Sequence, residues 1–292
     1  MKIRESNAFH CYDAMMLALI LYVNMRRKLV PMLDVVVRGA AVSSVAMVCL
    51  VLIHPSHAAA DPETDARRFQ IEFETGAIWQ SRNEIHIPDS AAGTRFSLAD
   101  LQDGMPIVQR RVEATWHPGR RHAFRFVYQP LGFSGTGSTT TPVLFAGGIF
   151  TPGAPVESDY KFDSYRLTYR YLFYESSTWR VSAGGTAFIR DAKVELRQGG
   201  STSTDSNVGF VPLLSLNAEY RFAPRWAAIV DIDGLVAPQG RAFDAAAKIR
   251  YDLTNHWSVS AGYRTFEGGV DNDERFAFGW FHFAVVSMGY HF

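Results

Sequence analysis

The sequence predicts an all-β protein: a closed antiparallel transmembrane β-barrel of about ten strands, with eight or twelve as the neighbouring possibilities, preceded by a signal peptide. Three observations carry that expectation. Apolar and polar residues alternate with period two along most of the chain after residue 68. The connections between these runs are short and long in turn. Tryptophans gather beside the short ones.

Composition bounds the function first. Lys plus Arg and Asp plus Glu are both 29, so the net charge is zero, and neither a basic excess nor a basic patch speaks for nucleic acid. Hydrophobic content of 47% is ordinary for a folded protein. The only cysteines, Cys11 and Cys49, precede residue 50, so no disulfide framework and no cysteine-based metal site is expected after Asp61. No metal and no cofactor is expected at all.

The chain divides into a leader, residues 1–60, and a barrel, residues 61–292. Gly39 to Ile53 is an apolar run of about 15 residues, shorter than the roughly 20 that a spanning helix needs. Arg26, Arg27, Lys28 and Arg38 precede it. Ala58 and Ala60 follow at small-x-small spacing, which predicts cleavage between Ala60 and Asp61. A second apolar patch, Ala14 to Val23, is more than a signal peptide needs. It suggests a true start at Met25 or Met32, with a long leader or an inner-membrane anchor as alternatives.

The strands follow in order. Phe69, Ile71 and Phe73 alternate with Gln70, Glu72 and Glu74. Val108, Val112, Ala114 and Trp116 oppose Gln109, Arg111, Glu113 and Thr115; Phe124, Phe126 and Tyr128 oppose Arg125. Tyr165, Leu167, Tyr169, Tyr171 and Phe173 share one face, and Arg166, Thr168 and Arg170 the other. Six further runs start near Val181, Phe210, Trp226, Phe243, Trp257 and Phe276, which makes ten strands, an even number as single-chain bacterial barrels have. Arg95 to Gly104 fits one short helical turn within a loop.

Short links are His117–Arg121, Glu175–Thr178, Ala223–Arg225 and Thr254–His256. Longer ones are Gln80–Pro106, Leu131–Asp159, Arg197–Asn207 and Glu267–Arg275, with Gly234–Arg241 as the exception in length. Spanning barrels keep tight turns at one end and longer loops at the other. Trp116, Trp179, Trp226 and Trp257, four of six tryptophans, flank the short turns. An indole prefers the membrane–water boundary, where its ring is buried and its N–H stays wet. In lipid every backbone amide must be paired internally, so strands survive there only in a closed barrel.

The chain finishes VVSMGYHF. Val286, Met288, Tyr290 and Phe292, at every second position, resemble the C-terminal assembly signal of small bacterial outer-membrane β-barrels. The architecture of residues from about 68 to 292 fits the same class. The resemblance implies a Gram-negative outer-membrane location reached through the periplasm, recognition of the last strand by the barrel-assembly machinery, and contact with outer-membrane lipid and lipopolysaccharide. Oligomeric state, ligand and true start codon stay open.

The polar face carries Glu72, Glu74, Arg111, Glu113, Arg125, Arg166, Arg170, Glu219, Arg221, Asp231, Asp233, Lys248, Arg250 and Arg264. Ten strands enclose a narrow space that long side chains fill, and unpaired charges there are costly. A charge-paired, plugged lumen is therefore expected, with a polar channel as the alternative. Asp231 and Asp233 are similar to one half of the acidic site of the ten-stranded outer-membrane proteases, but the Asp-x-His half is missing. A lipid A deacylase needs a lipid-facing Ser beside a His. His282 lies on the apolar face, and no serine accompanies it at helpful sequence spacing. His86 and His122 stand alone, and His291 is expected at the interface. The loop Leu131–Pro155 holds apolar VLF and GGIF and either contacts a partner or folds over the mouth. Asp271–Arg275 reads as a solvated turn and not as a calcium loop. The preferred function is a structural or interaction role without catalysis. A narrow channel or carrier for small hydrophobic molecules, and an enzyme acting on lipid A or peptides, are the alternatives.

Overall fold

The computed structural model describes residues 68–102 and 106–292; the leader and the cleavage site at Ala58, Ala60 and Asp61 lie outside the described residues. The alternating runs become β1 (Phe69–His86), β2 (Phe96–Ser97), β3 (Ile107–Gly119), β4 (His122–Gln129), β5 (Gly132–Ser138), β6 (Val143–Phe145) and β7 (Gly148–Phe150). They continue as β8 (Pro155–Glu175), β9 (Trp179–Gln198), β10 (Ser201–Ala223), β11 (Trp226–Ala237), β12 (Gly240–Asp252), β13 (Trp257–Asn272) and β14 (Arg275–His291). Both β4 and β5 pair with β8 and together make one wall position. β2 is a spur on β1, and β6 and β7 form a separate hairpin. The wall is thus a closed antiparallel barrel of 10 strands.

Closure is made by β14, which pairs with β13 on one side and with β1 on the other, from Gln70↔His291 to His86↔Phe276. The Arg68 N–H donates to the Phe292 carbonyl at 3.1 Å, and the Phe292 N–H to that of Phe69 at 2.8 Å. Nearer the tight turns the ring of strands is thereby closed, which is the condition for strands to survive in hydrocarbon; above Ile78 the β1–β3 ladder ends and β5 pairs with β8 alone. Among the described residues no helix is long and apolar enough to cross a membrane; the only helical piece is a 3-10 turn at Ala99–Leu101, inside the segment where one turn is expected.

The tight turns and their tryptophans sit at one end. Trp116 stacks between Phe69 and Phe124, with ring centroids 6.4 and 5.8 Å away. Trp179, Trp226 and Trp257 each lie 4.6 Å from a tyrosine ring, those of Tyr220, Tyr251 and Tyr290. A second belt holds Trp79, Tyr263 and Trp280. Trp79 is ten residues along β1 from Phe69. At about 3.3 Å per residue and about 40° of tilt the belts stand about 25 Å apart, the height of an apolar band. Val286, Met288 and Phe292 are exposed on the outer face between and below the belts, with Tyr290 in the lower one.

Two of the expected long loops are strand instead. β9 runs to Gln198 and β10 begins at Ser201, joined by Gly199 and Gly200 at φ of 55° and 87°. Two consecutive left-handed residues make the tight hairpin turn whose twist suits paired strands. β13 and β14 likewise meet at a turn in which Asn272 Oδ1 accepts from the N–H groups of Glu274 and Arg275. These hairpins rise beyond the second belt. The other two connections are shorter than expected, because β1 runs on to His86 and β5 and the start of β8 take up the ends of Leu131–Asp159; what lies between, residues 87–102 and 139–154, folds onto the mouth. Leu98, Leu101, Val143, Phe145 and Phe150 are buried there. The loops are tied together by the Thr94 N–H donating to the Leu144 carbonyl at 2.8 Å and by Ala146 N–H to Ile87 at 3.0 Å.

The inner face differs from the expectation of a uniformly polar lining. It is charged in the half nearer the tight turns. In the other half Phe133, Tyr160, Phe188, Phe266, Phe281 and Phe283 point inward and pack into one core. Ring pairs such as Phe133–Phe281, 5.6 Å apart and nearly parallel, bridge the lumen. Strands with apolar residues on both faces, as in FGWFHFAVV of β14, carry no alternation to read.

Candidate functional site

The charged half of the lumen is built mainly on one continuous chain of ion pairs. Lys248 Nζ bonds Glu72 at 2.7 Å and Glu74 at 3.1 Å. Glu74 faces Arg264, whose Nε and Nη2 donate to both oxygens of Asp244 at 2.7 and 2.5 Å. Arg166 donates to Asp244 at 2.5 Å and lies 3.7 Å from Asp233. Arg125 joins Asp233, Asp231 and Glu113, and Glu113 takes the Nε–H of Arg111 at 2.7 Å. Arg170 grips both oxygens of Asp231, at 2.7 and 2.8 Å, and donates to Ser215 at 2.9 Å. Six carboxylates (Glu72, Glu74, Glu113, Asp231, Asp233, Asp244) thus meet six cations (Arg111, Arg125, Arg166, Arg170, Lys248, Arg264) with no net charge. A smaller set, Glu219 and Asp252 with Arg250 and Arg221, lies nearer the tight turns.

All fourteen charges that the sequence places on the polar face therefore lie in these two networks. Asp244, which is not among those charges, is the hub of the larger one. It is 5% exposed, and Arg264 beside it is 2%. Guanidinium groups also bind this layer to the aromatic one: Arg166 lies over Phe188 at 4.6 Å and Arg264 over Phe283 at 5.3 Å. A planar cation on a ring face gains electrostatic energy that grows on desolvation.

Two spaces flank the plug. One of about 480 Å³ opens among the charges and the lower residues, from Glu72 and Arg111 to His117 and Asp252. The other, about 380 Å³, lies beyond the aromatic layer and is bounded by Ile85, Tyr160, Phe162, Phe266 and Ala277, with Arg190, Asp205 and Arg275 at its edge. Asp231 and Asp233 have their oxygens committed to Arg125, Arg170 and Thr186, which leaves neither placed to activate water.

The histidines have company that sequence spacing does not show. His86 Nδ1 is 2.6 Å from Asp89, and His122 Nδ1 is 2.9 Å from the Tyr169 hydroxyl. His291 Nε2 meets Ser258 Oγ at 3.2 Å. His282 differs most from the sequence reading, in which no serine accompanies it. Its Nε2 lies 2.8 Å from Ser81 Oγ, and its Nδ1 lies 2.5 Å from the Tyr263 hydroxyl. Closure of β14 against β1 brings the two together across 201 residues of sequence.

No protein-family model matches the sequence, and no curated protein matches it. Solved structures do. The outer-membrane protease OmpT of Escherichia coli superposes with a TM-score of 0.50 at 8% identity, over 78% of this chain and 98% of that one. The attachment invasion locus protein Ail of Yersinia pestis gives 0.35 at 8% identity, over 77% and 99%. The toluene transporter TodX of Pseudomonas putida gives 0.32 at 11%, over 77% and 90%. At such identities the likeness is one of fold: the chain has the architecture of a small bacterial outer-membrane β-barrel.

Proposed function

We propose that the protein is a sealed outer-membrane barrel with a structural or interaction role at the bacterial surface. The observation that carries this reading is the charge-balanced twelve-residue network, closed above by the aromatic layer and the folded loops. A pore needs a continuous wet path. Within the network each charge faces one of opposite sign, so the network carries no net charge to draw an ion in. The two aromatic belts about 25 Å apart support a Gram-negative outer membrane as the location, with lipid and lipopolysaccharide around the wall. Export through the periplasm and handling by the barrel-assembly machinery complete the proposal.

Liposome swelling tests it. Vesicles holding heat-modifiable, folded protein should swell in isotonic arabinose no faster than empty vesicles; swelling that scales with protein content would refute the sealed lumen. The apolar 380 Å³ space beyond the aromatic layer favours one second reading, a seat for a small hydrophobic molecule. Enhanced fluorescence of N-phenylnaphthylamine, abolished by Ala277→Trp, would support it.

A further inference from the structure

We propose that Ser81, His282 and Tyr263 form a lipid-facing hydrolytic site that cleaves an ester-linked acyl chain of an outer-leaflet lipid. The inference rests on the membrane-barrel reading, and a sealed lumen leaves the outer wall as the working surface.

The backbone places the serine deliberately. Along β1 the ladder runs Trp79↔His282, Gln80↔Phe281 and then Arg82↔Trp280; Ser81 is an extra residue with no partner on β14. Such a bulge re-aims a side chain, here outward onto the imidazole. A wall that needed only an aromatic belt would need no bulge at this point. Polar groups turned toward lipid are expensive and tend to be kept for function.

The imidazole is held on all sides. Trp79 stacks on it at 5.7 Å, and Trp280 and Tyr263 pack at 5.3 and 6.1 Å. With the Nδ1 proton donated to the Tyr263 oxygen, Nε2 is left to accept from Ser81. This is the nucleophile, base and orienter arrangement of hydroxyl-based hydrolysis. The group sits in the belt farther from the tight turns, at the level where lipid ester linkages meet water. Directly below, toward mid-bilayer, Ala77 faces Ala284 and Val286 faces Ala261. The three alanines leave a shallow lane for an acyl chain beside Val286. Above, Arg82 shares the face of Trp280, and Arg82 and Arg95 together outnumber their shared partner Glu84, which leaves positive charge for a lipid phosphate.

The reaction balances with water as the only co-reactant. Ser81 Oγ adds to the ester carbonyl as its proton passes to His282 Nε2. The tetrahedral adduct collapses, the bond to the lipid alcohol breaks, and Nε2–H protonates the departing oxygen. Interfacial water, deprotonated by Nε2, then adds to the acyl-serine; fatty acid leaves and the serine regains its proton.

The test uses the full-length protein in mixed micelles, with purified lipopolysaccharide and phosphatidylglycerol offered separately. Fatty acid release is followed by mass spectrometry, and a long-chain alkyl fluorophosphonate reports the nucleophile. The expected result is fatty acid release from one of the two lipids, which identifies the source, and label on the peptide containing Ser81. Ser81→Ala abolishes both. His282→Gln lowers both by about a hundredfold or more, and Tyr263→Phe has a smaller effect on rate, with all three variants still heat-modifiable. No release from either lipid and no label on folded protein overturns the proposal, as does activity unchanged in Ser81→Ala. Loss of heat modifiability in the wild type would instead overturn the barrel reading beneath it.

Discussion

Asp244→Asn should be among the most destabilising single-atom changes available in this barrel. The carboxylate receives three guanidinium hydrogen bonds, from Arg166 at 2.5 Å and from Arg264 at 2.7 and 2.5 Å. All three side chains are almost inaccessible. At a charge separation of about 4 Å and an effective dielectric near 20, each pair is worth about 4 kcal/mol of attraction before desolvation is counted. The amide removes the negative charge and leaves two buried cations facing each other, with Glu74 and Asp233 as their remaining partners. Breaking a buried pair in this way costs about 3–5 kcal/mol. Urea unfolding of the refolded protein in lipid vesicles, followed by tryptophan fluorescence, measures it. Glu267→Gln is the control. It breaks the ion pair with Arg241, which is partly exposed, and should cost about 0–1 kcal/mol. Equal and small losses for the two variants would mean that the luminal network is wet and its pairs are weak, and the reasoning behind a sealed lumen would fail.

Three further outcomes follow from the same geometry. Phe281→Ala removes a ring stacked with Phe133 and within reach of Tyr160 and Phe266; it should lower unfolding stability by about 3–5 kcal/mol, and an unchanged urea midpoint would contradict the bridging aromatic layer. A methyl group on Gly184 would meet the Tyr169 carbonyl oxygen at 1.8 Å, so Gly184→Ala should cost about 1–3 kcal/mol in the same assay and give less folded protein on refolding. Glu84, above the apolar band, is held below the ordinary carboxylate range chiefly by its hydrogen bond from Arg95, with burial opposing and Arg82 adding. A depressed carboxylate stabilises above its unfolded value near pH 4 and loses that contribution as pH falls through the lower folded value. Pepsin cleavage within residues 87–106 should therefore stay slow in the wild type at pH 4 and quicken up to about fivefold in Glu84→Gln, a difference that vanishes at more acid pH; equal rates at pH 4 would contradict the clamp.

What the sequence shows of this fold follows the physics of each face. Where one side of a strand meets lipid and the other meets charge, as in Tyr165 to Phe173 of β8 against Arg166 and Arg170, alternation marks both. The same contrast places Trp116, Trp179, Trp226 and Trp257 beside the tight turns. In the half of the barrel farther from the tight turns the contrast disappears, because Phe188, Phe266, Phe281 and Phe283 face inward among apolar neighbours. The hairpins at Gly199 and Asn272 read as loops because strand standing clear of lipid has no apolar face to keep. Asp244 looks like any polar-face residue until register sets it between Arg166 and Arg264. Ser81 and His282 lie at opposite ends of the barrel sequence, and a bulge that leaves no compositional mark turns one toward the other. Pairing across the closing strands is a property of register, not of local pattern.

Single-channel recording in planar bilayers tests the sealed lumen most directly. Protein shown to be folded by its heat shift should give no discrete conductance steps, while Asp244→Ala combined with Phe281→Ala, which opens both layers, should raise the current above that baseline. Reproducible steps from the wild type, growing with salt concentration, would contradict the account and make the barrel a channel.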